Sequence, residues 1–98
     1  MKSVVIKAST KADKKLMAVF TRDNGSKKTT HFGSAGMDDF TKTKNKEQRK
    51  RYLDRHRKNE KWNQPETAGA LSRWILWGPT TSRRENIQRF KRRFGYKN

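Results

Sequence analysis

The sequence predicts a small α+β domain in which an N-terminal three-stranded antiparallel meander precedes about three helices. Three observations support this fold class: two short segments rich in β-branched residues open the chain, a tight-turn signal follows them, and helix start and stop signals fill the second half. Ninety-eight residues are enough for one hydrophobic core. We therefore expect one domain, with a β-meander over residues 1–33, a connector over 34–44 and a basic helical part over 45–98.

The predicted meander begins with two apolar segments, residues 3–8 (SVVIKA) and 15–22 (KLMAVFTR), separated by a polar stretch. Asn24 and Gly25 then stand where a tight hairpin requires positive φ. Residues 29–32 (TTHF) form the centre of the third predicted strand. In the middle strand every second side chain is apolar and the others are not strongly polar, so helices are expected to cover at least one face.

A first helix is predicted over residues 45–60, where Asn45 can cap the start and Gln48 can reach back to it. No Gly or Pro interrupts the chain until Pro65. The face expected to rest on the protein is thin and contains Tyr52, His56 and Asn59 beside Arg49.

A second, short helix is predicted to begin near Glu66 or Thr67 and to end around Gly78 and Pro79. It carries the most apolar helical segment of the chain, with Leu71, Trp74 and Ile75 on one side and Leu76 and Trp77 widening that face. This segment is expected to be the most buried after the sheet. Packing is also the favoured role of Trp62, Trp74 and Trp77, although tryptophans can stack on exposed bases.

The last predicted helix opens with a Ser-x-x-Glu capping box, from Ser82 to Glu85. Its apolar face contains Ile87, Phe90 and Phe94, and Gly95 ends it.

The charge of the chain is its most informative feature. Twenty-six Lys and Arg against nine Asp and Glu give a net charge of +17, and residues 42–98 hold 18 of the basic side chains. Such an excess destabilises a compact state through self-repulsion unless anions neutralise it. The partner is therefore expected to be a polyanion or an acidic surface, contacted by the C-terminal half.

Eleven basic side chains of the first and last predicted helices are the candidate polyanion-binding residues, because cations at helical spacing can follow phosphates and release condensed counterions. They are Arg49, Lys50, Arg51, Arg55, Arg57, Lys58, Arg83, Arg84, Arg89, Arg92 and Arg93. The alternative interpretation is a merely solvated charged face. Guanidinium groups pair with phosphate and carboxylate alike, so these residues do not choose between the two kinds of partner.

The amino-acid composition excludes several other classes of protein. Few Val, Ile, Leu and Phe combined with high charge are typical of disordered chains, whereas ten aromatic residues favour a fold. The absence of Cys excludes disulfides and zinc–thiolate sites. No segment is apolar enough to predict a membrane span or a secretion signal, and we expect intracellular synthesis. Neither a cofactor nor a small-molecule substrate is predicted.

Two weaker sequence patterns are candidates for a phosphate site and for a metal or nuclease site. Gly33 and Gly36 in HFGSAG could let backbone N–H groups approach a phosphate, but the Lys and Ser/Thr of a P-loop are missing, which favours an ordinary strand-to-loop turn. A metal or nuclease site would need residues that no spacing brings together, namely His31, Asp38, Asp39 and His56. Two successive carboxylates more often cap a turn, and the sequence favours a non-enzyme.

Four blocks of sequence together resemble a family of small basic proteins encoded by large nucleocytoplasmic double-stranded DNA viruses of algae and amoebae. The blocks are HFGSAGMDDFT, RYLDRHRKNEKW, TAGALSRWILWGPT and IQRFKRRFGY, between about residues 28 and 96. The resemblance implies a viral protein made in the cytoplasm or nucleus of an infected cell and packaged in the virion. It transfers no catalytic residue.

Two functions follow as expectations. The first is a non-enzymatic, virion-associated protein that neutralises packaged DNA without sequence preference. The second is a minor capsid or cement protein whose cations dock on acidic faces of coat proteins inside the shell. A small nuclease that uses the His and Asp residues named above is a weaker third.

Overall fold

The computed structural model describes residues 2–58 and 61–97. Its N-terminal part is a three-stranded antiparallel sheet in the order β1–β2–β3. The strands are β1 (Ser3–Ala8), β2 (Lys14–Thr21) and β3 (Lys27–Ser34). Val4 pairs with Phe20, and Leu16 pairs with Phe32, so large apolar side chains of neighbouring strands meet on one face. The predicted meander is confirmed, with β2 shifted by one residue.

The β2–β3 turn differs in detail from the prediction. Gly25 has φ +87°, but Asn24 does not have a positive φ. The Gly25 N–H donates to the Arg22 carbonyl at 2.9 Å, and the Arg22 N–H donates to the Ser26 carbonyl at 2.9 Å. This is a three-residue hairpin loop in which only the last residue is left-handed. The Asn24 side chain instead accepts from the Ser26 N–H, an Asx-type turn.

Helices form the rest of the domain and give the α+β class that the sequence predicts. They are α1 (Phe40–Thr43), α2 (Lys46–His56), α3 (Ala68–Leu71), a π-helical segment (Ser72–Leu76) that continues α3, and α4 (Arg83–Phe94). The predicted connector therefore contains a helix, α1. The predicted helix over residues 45–60 ends earlier, at His56, and Asn59 lies outside the described residues.

Each of the two predicted capping boxes forms only one of its two hydrogen bonds. In both, the cap residue's own N–H bonds to a threonine instead of the predicted Gln or Glu side chain. Asn45 and Ser82 each accept from a backbone N–H three residues on, at 3.0 and 3.2 Å. Gln48 and Glu85 do not reach back to the cap. The N–H of each cap residue instead donates to the hydroxyl of a threonine two residues earlier, Thr43 or Thr80, at 3.3 and 3.1 Å. A threonine can do this because its hydroxyl both accepts and donates.

The helix predicted over residues 66–78 begins at Thr67, whose hydroxyl accepts from Ala70 N–H, and then widens into the π segment. The Trp77 N–H donates to the Ser72 carbonyl at 2.9 Å, five residues back, instead of four. Gly78 follows, and a Cβ at this position would lie 2.7 Å from the amide carbon of Asn86. The end of the segment is therefore packed directly against α4.

Asn86 of α4 is completely buried and links the π segment to α4. Its amide nitrogen donates to the carbonyls of Ile75 and Thr80 at 2.9 Å each. Its carbonyl oxygen accepts from the N–H and the hydroxyl of Thr80 at 3.1 and 2.8 Å. A single side chain thus satisfies one carbonyl near the end of the π segment and one carbonyl of the loop before α4.

The core lies between one face of the sheet and the helices. Its largest fully buried side chains include Phe20, Phe32, Leu71, Ile75 and Phe90. On the opposite face of the sheet Val5 is 55% exposed. The apolar faces predicted for α3 and α4 are therefore confirmed, and the helices cover the apolar face of the meander.

Candidate polyanion-binding surface

Helix α2 rests on the core through Leu53 and a stack of aromatic rings. The Tyr52 ring lies 4.2 Å from the Trp77 ring, nearly parallel to it, and the His56 ring stacks on Tyr52 at the same separation. This confirms the predicted contact of Tyr52 and His56 with the protein and adds Leu53, which is buried. The remaining sides of α2 face outward.

Three cations on the outward side of α2 and just beyond its end form what we call the α2 stripe. They are Arg51, Arg55 and Lys58, and all three are exposed. They are spaced four and three residues apart, so they lie roughly along one line of the helix. Among the described residues, none of them lies within ion-pair distance of a carboxylate.

Two arginines of α4, which we call the α4 pair, have the same character. Arg84 and Arg92 are exposed, lie eight residues apart on one side of the helix, and have no ion-pair partner in the described ranges. Five of the eleven predicted residues therefore offer unneutralised charge to solvent.

Three other predicted residues share their charge with acids of their own helix. Lys50 contacts Asp54 at 2.8 Å, and Arg57 approaches the same carboxyl at 3.8 Å. Arg89 contacts Glu85 at 3.1 Å. Exposed pairs of this kind are weak, so these cations can exchange partners with an incoming anion at small cost.

Arg83 is paired with a buried carboxylate of the protein. Its guanidinium lies 3.6 Å from the carboxylate of Asp39, which is 1% exposed, and 3.3 Å from the Thr41 hydroxyl. Lys15 contacts the same carboxylate at 2.5 Å. Burial acts to raise the pKa of Asp39, but the hydrogen bonds from Lys15 and Thr41 and the nearby charges outweigh it, so the pKa lies below its usual value. Arg83 thus connects α4 to α1 and β2.

Arg49, a predicted polyanion-binding residue, is directed inward, on the face of α2 that the sequence places beside Tyr52 and His56. Its Nε donates to the carbonyls of Trp77 and Gly78 at 3.2 and 2.9 Å, where the helical segment ends. Burial lowers its pKa. A cation is favourable here because the C-terminal end of a helix carries partial negative charge.

Arg73, which the sequence did not single out, lies beside Arg49. Its Nη1 donates to the same Trp77 carbonyl at 3.2 Å, and its Nε is buried without a hydrogen-bond partner. Burial, followed by the charges of Arg49 and Arg93, lowers the pKa of Arg73 to about 10. Both guanidinium groups are bonded to one carbonyl oxygen, so their like charges repel each other at short range.

Arg93 completes this group through Trp74. Its guanidinium carbon lies 3.8 Å from the centre of the Trp74 ring, and that of Arg73 lies 4.2 Å from the same centre. The Trp74 ring nitrogen donates to the Trp62 carbonyl at 2.8 Å. We call Arg49, Arg73, Arg93 and Trp74 the arginine–tryptophan cluster.

A surface hollow of about 510 Å³ adjoins the cluster. Its apolar lining consists of Trp74, Pro79 and Phe90, and its basic lining consists of Arg89, Arg92 and Arg93. Trp74 is therefore half-buried at the edge of the core, with guanidinium groups on its ring, while Trp77 is buried as predicted.

The weaker sites considered from the sequence are brought together only in part: Asp38, Asp39 and His56 line one hollow of about 310 Å³, which His31 does not line. His31 Nδ1 lies 2.7 Å from the Ser9 hydroxyl, whereas Asp39 caps α1 and binds Lys15. No group of three or more potential metal ligands occurs within residues 2–58 and 61–97. A Cβ at Gly33 would lie 2.6 Å from a Leu76 methyl, so this glycine allows close packing of β3 against the π segment. No helix in these ranges is long and apolar enough to cross a membrane.

Comparison with known proteins places the chain in a family without assigning a function. Neither a curated protein nor a solved structure matches it. Residues 4–56, which include the sheet, α1 and α2 with its aromatic stack, match a family of unknown function, DUF5754. Since this match covers more than half of the sequence, the chain belongs to the DUF5754 family.

Proposed function

We propose that the protein binds duplex DNA through the phosphate backbone, without sequence preference and without catalysis. One observation carries the proposal: five of the eleven candidate residues, the α2 stripe and the α4 pair, are exposed and have no carboxylate partner among the described residues. With Arg93 they make six cations that a polyanion can reach.

The spacing of the α2 stripe suits a phosphate backbone. Residues four apart on a helix are separated by about 6 Å along its axis. Duplex DNA carries one charge per strand about every 3.4 Å of its axis, so a row of flexible cations finds phosphates in any register. Contacts of this kind position a protein on DNA but carry no sequence information.

The resemblance of four sequence blocks to proteins of large double-stranded DNA viruses suggests a setting for this activity. In that setting the polyanion is the packaged viral genome, and the protein is associated with the virion after synthesis in the host cytoplasm or nucleus. A net charge of +17 then neutralises DNA whose own repulsion opposes packaging.

A second candidate function has its own supporting observation. The hollow lined by Trp74, Phe90 and Pro79 and rimmed by arginines has the composition of a protein–protein hot spot. A minor capsid or cement role would place an acidic coat protein on this surface. In purified particles, retention of the protein with the shell after removal of the genome favours this candidate, whereas loss with the genome favours DNA binding.

Titration of a short duplex at increasing salt concentrations tests the first proposal. A slope of log affinity against log salt near −5 is expected if all six cations contact one duplex, and near −3 if only the α2 stripe does. Replacing Arg51, Arg55 and Lys58 by glutamine should make the slope less negative by about 3.

A matched variant separates a specific surface from net charge alone. Lys7, Lys11 and Lys27 are exposed in the sheet part of the chain, and replacing them by glutamine removes the same total charge. The slope should remain close to that of the unchanged protein. Equal effects of the two triple variants, or a slope near zero for the unchanged protein, would contradict the proposal.

A further inference from the structure

Arg73 is the centre of a group of three arginines contributed by three separate segments. It shares the Trp77 carbonyl with Arg49 of α2 and the Trp74 ring with Arg93 of α4. The guanidinium carbons of Arg73 and Arg93 both lie within 4.2 Å of the centre of the same ring, so the two groups are close to each other. The fold has brought like charges together at this point.

Within the described ranges these three arginines have no ion-pair partner. Lys15 and Arg83, which are half-buried like Arg49 and Arg73, instead contact the buried carboxylate of Asp39. What holds the cluster is neutral: the backbone carbonyls of Trp77 and Gly78 and the aromatic rings of Trp74, Trp62 and Phe40. The group therefore retains its positive charge and several free N–H donors, including the buried Nε of Arg73.

Access to the cluster is provided from solvent. Arg93 is exposed and lines the hollow that also contains Trp74 and Pro79. Pro79 directly follows Gly78, whose carbonyl accepts from Arg49. An anion entering this hollow therefore reaches Arg93 and the Trp74 ring directly, whereas Arg49 and Arg73 lie behind the lining, with Arg73 in contact with the same ring.

We propose that Arg49, Arg73 and Arg93 form a binding site for a doubly charged phosphate group, such as the terminal phosphate of a DNA strand. The inference rests on the proposed function, because it identifies which phosphate of a nucleic acid the protein prefers. Guanidinium forks match the oxygens of a phosphate group, and three of them suit a dianion better than the single charge of an internal phosphodiester.

The preference should depend on pH in a way that a purely structural role would not produce. A phosphate monoester loses its second proton near pH 6 and carries about two charges at pH 7. An internal diester and the arginines keep their charges throughout this range. The preference for a terminal phosphate should therefore be strong at pH 7 and should decline as the pH falls towards 5.

The experiment compares two short duplexes that differ only in a 5′-phosphate or a 5′-hydroxyl, titrated against the full chain at pH 7 and pH 5. A preference of about tenfold for the phosphorylated duplex at pH 7 is expected, the effect of one additional charge-assisted hydrogen bond. Arg73→Lys keeps the charge but removes the fork, and should abolish the preference. Arg22→Lys, the same change at an exposed arginine outside the proposed binding surface, should leave it unchanged.

Inorganic phosphate is titrated separately, followed by tryptophan fluorescence because Trp74 lies within the cluster. Suppose that the two duplexes bind equally well but that inorganic phosphate binds and Arg73→Lys weakens this binding. The site would then be supported, and its ligand would be a small phosphate compound. Equal affinities with no effect of phosphate would overturn the inference. If the hydroxyl duplex still bound in a salt-dependent way, the proposed function would still be supported. If inorganic phosphate bound but neither duplex did, the proposed function would be wrong and the phosphate site would stand.

Discussion

Asn86 should contribute more to stability than any exposed polar residue of the chain. The substitution Asn86→Ala removes four hydrogen bonds, two to carbonyls and two from Thr80. Each is worth about 1 kcal/mol net. The Ile75 carbonyl lies in a buried bond and would lose its partner, which adds roughly 1–3 kcal/mol. Because relaxation and water recover part of this loss, we expect a decrease of about 4 kcal/mol in the free energy of unfolding.

Such a loss is large for this chain. Domains of about 100 residues have total stabilities of roughly 5–15 kcal/mol, and the self-repulsion of a +17 chain places this one towards the lower end. Urea unfolding followed by tryptophan fluorescence should show a much lower midpoint with an unchanged slope. The variant is therefore expected to remain folded in buffer but to unfold at low urea concentration.

Asn45→Ala is the matched control, because it removes an asparagine that makes a single hydrogen bond at an exposed helix cap. Loss of such a cap costs about 1 kcal/mol. If Asn86→Ala costs no more than Asn45→Ala, then Asn86 does not hold the π segment to α4, and the account of this contact is wrong.

Two further substitutions test the same packing and the buried carboxylate. Gly78→Ala would press its methyl group against the Trp74 carbonyl and the Asn86 amide and should lower the thermal midpoint. Gly36→Ala is strained by its φ of +84° but meets no atom within 4 Å, so it measures the cost of backbone strain alone. A smaller effect at Gly78 than at Gly36 would contradict the close packing. Asp39, whose pKa is lowered in the folded state, contributes stability that is present above the usual pKa of an aspartate and is lost as the pH falls through its lowered value. Asp39→Asn should cost about 3 kcal/mol at pH 7, because Lys15 loses its charge partner, and should flatten the decrease of stability in acid; an unchanged pH profile in urea titrations would refute this role.

The parts of the fold that the sequence predicted depend on interactions close along the chain. The strands follow from alternating apolar residues, and Asn45, Ser82 and Gly95 mark helix ends by bonds to groups within four residues. Even there, the predicted hydrogen bonds from the cap N–H groups to the side chains of Gln48 and Glu85 do not form. Threonines at 43 and 80 stand close enough to take them, and the capping pattern does not consider residues before the cap.

The parts that were missed depend on contacts between distant segments. The π segment changes the direction of Arg73 relative to an α-helix, and Asn86 acquires its importance only because Ile75 and Thr80 lie beside it. Arg49 was predicted to lie beside Tyr52 and His56 and also to bind a polyanion, but its binding of the carbonyls of a helix end 28 and 29 residues away was not predicted. Periodicity identifies a charged face but cannot show which cation meets the end of another helix.

The structure divides the cations into two kinds with different consequences for binding. Those of the α2 stripe are attached to the domain only through their own helix, so neutralising them changes affinity more than it changes the fold. Arg49, Arg73 and Arg93 instead hold α2, the π segment and α4 around the same carbonyls and indole ring, at the cost of mutual repulsion. An anion bound there relieves that repulsion in the folded state only, and anything that binds only the folded state stabilises it by mass action. Binding at the cluster should therefore tighten the contact between three helical segments, whereas binding at the stripe should not.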